Sequence, residues 1–123
     1  MAIGVRFTIM AGSYKAPEVE KVTPVLVRDE LLKCFESANR EFLDIVHQPT
    51  TDEALRGQVR QFVTTVFEGC GVSFDSPTKS GIVTAINTCK ANAEAMMGPA
   101  GADVIRHHYA EMMKLVNRLP DSK

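Results

Sequence analysis

The sequence predicts an all-α domain, an antiparallel up-down-up-down four-helix bundle preceded by an extended N-terminal arm. Three observations lead there. Apolar residues recur at spacings of three and four through four runs of roughly twenty residues, each roughly 30 Å long as a helix. Helix-starting and helix-ending residues separate the runs. The links between them are short, which makes successive helices antiparallel. The bundle spans residues 23–120, with helices at about 24–47, 51–70, 77–97 and 101–119, and residues 1–22 form an arm and connector.

Within the arm, Ile3, Val5, Phe7 and Ile9 alternate with Gly4, Arg6, Thr8 and Met10, a strand-like pattern over residues 2–10. A lone strand is unstable, so the segment either pairs with another chain or a helix, or is an unpaired arm or leader remnant. Residues 11–22 read as a connector, with one turn of helix expected at Glu18 to Val22.

Thr23-Pro24 starts the first helix, with threonine as cap and proline at the first helical position. Val27, Leu31, Cys34, Phe35, Ala38, Phe42 and Ile45 form its apolar stripe, and Asp29 and Glu30 complement the helix dipole in the first turn. Pro49 ends it. Thr50 with Glu53 offers a capping box for the second helix, which buries Leu55, Val59, Phe62, Val63, Val66 and Cys70 and stops at Gly71. Ser76-Pro77 starts the third helix, which faces inward with Ile82, Ala85, Ile86, Cys89, Ala93, Met96 and Met97. Gly98-Pro99-Ala100-Gly101 breaks the chain. In the last helix Ile105, His108, Met112, Leu115, Val116 and Leu119 fall on one face, opposite Asp103, Arg106, Ala110, Lys114 and Asn117.

Composition narrows the partners. Fourteen basic and fifteen acidic residues give a net charge of −1, which argues against nucleic acid and anionic membranes. No apolar run reaches the length of a membrane span. Three cysteines, an odd number, make no disulfide framework, and free thiols suit a reducing compartment, so the expected location is cytoplasmic.

No residue pattern implies a catalytic centre, a cofactor or a metal. The cysteines lack the paired C-x2-C spacing of structural zinc sites. Asp44 with His47, and His107 with Asp103 or Glu111, sit at surface i,i+3 and i,i+4 spacings, without the inward carboxylates of di-metal bundles. No H-x-x-K-G follows a histidine, so the helix count shared with histidine-phosphotransfer domains implies nothing further. His108 is the one inward histidine. Layer counting places it level with Cys89, with Glu41 bordering the core face, and these three residues are the candidate ligand-binding group. The methionines at 96, 97, 112 and 113 cluster near the third turn, as core filler or as an adaptable surface.

The features support best a small cytosolic helical protein-interaction or regulatory subunit that associates with itself as a dimer or with a protein partner, more in keeping with a non-enzyme. Leu32, Leu43, Phe67, Val83 and Met113, apolar residues left off the main stripes, are its candidate interface. The alternative is a metal- or small-ligand-binding bundle, or a minor enzyme, using the interior near His108, Cys89 and Glu41.

Overall fold

The computed structural model describes residues 14–48 and 50–120. It is all-helical, with three helices where the sequence predicts four: α1 at Pro24–Ile45, α2 at Asp52–Gly69 and α3 at Lys79–Val116. No strand occurs among the described residues. The expected strand at 2–10 and the proline at 49 lie outside them.

The difference in number comes from Gly98. A loop over 98–101 is expected, but the helical run continues through it and is interrupted only at Gly98, with φ 77° and ψ −173°. That backbone conformation is essentially open to glycine alone. Pro99 follows without cost, because the amide it lacks would have no partner in a first helical turn.

The interruption folds α3 back on itself. Tyr109 donates a hydrogen bond to Asn87 Oδ1, 22 residues away. A straight helix would separate those residues by roughly 33 Å. Arg106 pairs with Glu94 at 3.8 Å, and Lys90 Nζ lies 5.2 Å from the Tyr109 ring, so the limbs before and after Gly98 run side by side. The reversal is tight: a Cβ on Gly101 would fall 2.1 Å from Met97 Cβ.

α1 and α2 are antiparallel, tied by Arg40–Asp52 and by Arg56–Glu36 at 3.3 Å, with Phe35 stacked on Phe62 at 6.1 Å. Both helices end in the same way. In α2 the Val72 N–H reaches Phe67 O and the Gly71 N–H reaches Glu68 O, with Gly71 at φ 71°. In α1 the Gln48 N–H reaches Leu43 O and the His47 N–H reaches Asp44 O, and His47 takes the left-handed position at φ 57°. This is the Schellman arrangement, and glycine is its usual residue. Gly71 was legible in the sequence and His47 was not.

Two starts shift slightly. Thr51 rather than Thr50 caps α2, accepting from the Ala54 N–H at 3.1 Å. Thr78 rather than Ser76 caps α3, accepting from the Gly81 N–H at 3.0 Å. Each threonine lies three residues before the amide it satisfies, the reach of an N-cap side chain.

The core gathers the stripes of all three helices, including Leu31, Phe35, Leu55, Val63, Ile82, Ile86, Ile105 and Met112. Residues 14–22 form no helix; the turn expected at Glu18 to Val22 is absent, and the segment lies as a strap against α1 and α3. Val22 and Tyr14 are buried in the core. Side chains of other elements, rather than a local helix, bond the Ala16 N–H and the carbonyls of Val19 and Glu20.

Candidate functional site

α1 carries the row Glu30, Cys34, Ser37 and Glu41, spaced four, three and four, so the residues share one helical face. The second limb of α3 carries Val104, His108, Glu111 and Leu115 with the same spacing. The two rows meet. His108 Nε2 lies 3.0 Å from Ser37 Oγ, and Cys34 Sγ lies 3.5 Å from the His108 carbonyl oxygen.

His108 is 1% exposed. Its Nδ1 lies 2.9 Å from Val104 O, an atom that only accepts, so Nδ1 carries the hydrogen. In the neutral ring Nε2 then accepts from the Ser37 hydroxyl. This tautomer follows from the partners. Glu41 Oε1 stands 3.9 Å from Nε2, beyond hydrogen-bonding distance, and is buried without a hydrogen bond of its own.

Glu30, expected to serve the helix dipole from the first turn, is buried instead. It accepts from Tyr14 Oη at 2.8 Å and from Lys33 Nζ at 3.2 Å. The signal was present: Glu30 is three residues after Val27 and four before Cys34, within the inward stripe. Ser37 was missed for a different reason. Its partner is on another helix, and only the packing shows it.

Cys89 is buried at the level of His108, as the Lys90–Tyr109 contact indicates, but His108 bonds Ser37 on α1 whereas the thiol acting on Cys89 is that of Cys70 at the end of α2. Burial pushes the Cys89 thiol up to about 12, with Cys70 as the second cause. Burial pushes the Cys34 thiol up as well, and the charges of Glu30 and Glu111 add to it. Neither thiol forms a thiolate readily, so neither is poised as a nucleophile. Among the described residues no group of three or more His, Cys, Asp and Glu side chains could hold a metal ion.

The candidate interface residues sit deeper than the sequence suggests. Phe67 is fully buried, although its spacing puts it at the edge of α2; Phe74, from the α2–α3 connection, packs edge-on against it at 5.2 Å. Arg28 fixes that connection by donating to Phe74 O at 2.7 Å. Leu32, Leu43, Val83 and Met113 are partly buried against the core.

A different surface is open. Between α1, α2 and the first limb of α3 lies a cavity of about 160 Å³, lined by Phe35, Asn39, Val59, Phe62, Ala93, Met96 and Met97 among others. Met96, expected inward, is 75% exposed at this cavity. Its neighbour Met97 packs against the core instead. Asn39 donates its amide to Phe35 O at 2.7 Å. Ile45 and Val46, at the end of α1, are also exposed.

No helix among the described residues is long and apolar enough to cross a membrane. Comparison with known proteins finds no matching family model, no similar curated protein and no similar solved structure.

Proposed function

We propose that this chain is a small helical protein-interaction or regulatory subunit that associates with a second copy of itself through the open apolar cavity. The observation behind the reading is Met96, 75% exposed at a cavity whose walls are mostly aromatic and aliphatic. Methionine adapts to a partner surface at little conformational cost, and an exposed apolar cluster costs free energy until covered. At about 160 Å³ the cavity is smaller than the roughly 300–1,000 Å³ of ordinary small-molecule pockets, and suits an inserted side chain better. On this reading Gly98 divides α3 into two working helices, the chain acts as an up-down-up-down four-helix bundle, and the cytosol is its location.

Sedimentation of the full chain at micromolar concentration tests the proposal. A dimer is expected, with Met96→Asp shifting it to monomer while the helical circular dichroism stays unchanged. A wild-type monomer would refute self-association.

One observation favours a second reading, a ligand-binding bundle: the unpartnered Glu41 oxygen near His108. Native mass spectrometry of freshly purified protein separates the two, since a stoichiometric bound ligand or metal supports the second and a clean apo dimer the first.

A further inference from the structure

The strap is held from outside itself. Tyr14 Oη donates to Glu30 at 2.8 Å, and the Ala16 N–H donates to Glu111 Oε1 at 2.9 Å. Arg118 donates to the carbonyl oxygens of Val19 at 2.6 Å and Glu20 at 3.5 Å. These anchors climb one seam. Arg118 stands at its foot, Glu111 about 10 Å higher at the helical rise, and Glu30 faces it from α1. Side chains from two helices thus reach out to an extended backbone and one phenolic hydroxyl.

None of these bonds belongs to a helix ladder, so the strap can leave its seat without melting a helix. Pro24 fixes the hinge, because the residue before a proline avoids the helical region and α1 cannot grow backward into a released strap. Thr23 is extended, at φ −122° and ψ 160°. Residues 14–22 of a second copy would make every one of these contacts again, which is why exchange of an element is a low-cost route to a dimer.

We propose that the seam between α1 and the second limb of α3 is a seat for an extended segment, and that in the self-associated protein residues 14–22 of a second copy fill it. The inference rests on the self-association reading and adds how the two copies are held. The strap is an exchangeable latch, and the apolar cavity is the contact that brings the copies together.

Cross-linking of the full chain tests this. Lys15 and Lys114 are exposed, and both bear on Glu111, so they mark the two sides of the seam. A Lys15→Cys, Lys114→Cys, Cys70→Ser chain is treated with a short bis-maleimide and run on a denaturing gel. An exchanged latch gives a covalent dimer, in whose digest position 15 is linked to position 114. Cross-links only within one chain, or a gel without covalent dimer, overturn the exchange. If the wild type still sediments as a dimer, that failure leaves the self-association reading standing. A monomeric wild type removes both.

Discussion

α1 separates two valleys, one sealed and one open. Toward the second limb of α3, Glu30, Ser37, His108 and Glu111 lie among apolar residues, and the strap seals the seam with directional hydrogen bonds. Toward α2 and the first limb, the walls are mostly apolar, Phe35, Phe62 and two methionines with Asn39 and Gln58 beside them, and the valley stays open. Buried polar groups must find partners at fixed distances, so the first valley has one arrangement and fixes the register of α1 on α3. Dispersion and apolar contact are not directional, so the second valley can accept a partner's side chain without a specified pairing. The first is built for uniqueness and the second for adaptability.

Substitutions in the two valleys should therefore differ in kind. The largest effect is expected at His108, where alanine removes a buried ring and its bond to Ser37. Urea unfolding should show a loss of about 2–4 kcal/mol. His108→Leu fills the space and should cost no more than about 1.5 kcal/mol. If leucine proved as damaging as alanine, hydrogen bonding rather than volume would govern the seam.

Gly98 comes next, because both valleys depend on the reversal it permits. Gly98→Ala should cost about 1–3 kcal/mol, since its backbone conformation is strained for any residue with a side chain. Gly57 is the control: its Cβ position is open, and Gly57→Ala inside α2 should gain up to ~1 kcal/mol. Thermal melts followed by circular dichroism measure both.

The strap yields a pH prediction. The Glu111 carboxyl is held below the ordinary 4.5 by its bond from Lys114 and then by the Ala16 N–H. A carboxyl whose folded-state value is depressed stabilises the fold fully above the unfolded value and loses that contribution as pH falls through the folded one. Stability should thus drop below about pH 4.5, and the drop should be smaller in Glu111→Gln, read as unfolding midpoints at pH 7 and pH 3. At neutral pH, Ala16→Pro should cost about 1–2 kcal/mol and speed alkylation of Cys34, beside the strap, while Cys89 stays protected. Equal acceleration at both cysteines would mean global opening and erase the distinction between valley and latch.

The smallest change is expected at the end of α1. His47→Gly relieves a left-handed residue and should gain up to ~1 kcal/mol in the same melts, leaving both valleys untouched.

Much of the helical part was legible in the chain. Thr23-Pro24, Gly71 and the stripe from Ile105 to Leu119 follow from cap chemistry and 3.6-residue periodicity, which are local properties, and the structure buries that stripe as expected. The inward turn of His108 was legible in the same way. Its company was legible only in part: Glu41 stands 3.9 Å from the ring, but Ser37 is the bonded neighbour. Periodicity says which way a residue faces, but not whether the neighbour across the gap is Ser37 or Cys89, because that depends on the rotation of one helix against another. Glu30 shows a subtler limit. Its position in the stripe was readable, yet a carboxylate is normally assigned to the surface unless a partner is known, and Tyr14 is 16 residues away.

The sequence by itself therefore determined the all-helical class, the caps at Thr23 and Gly71 and much of the faces the helices bury, since each of these is settled within a few turns of chain. The tertiary structure alone decided that Gly98 by itself makes the turn expected over 98–101, that Phe67 is sealed under Phe74, that the connector is a strap held by Glu30, Glu111 and Arg118, and that Met96 is left outside. These outcomes rest on contacts between residues distant in sequence, where packing volume and unpaired polar groups choose among arrangements that local propensity leaves equal.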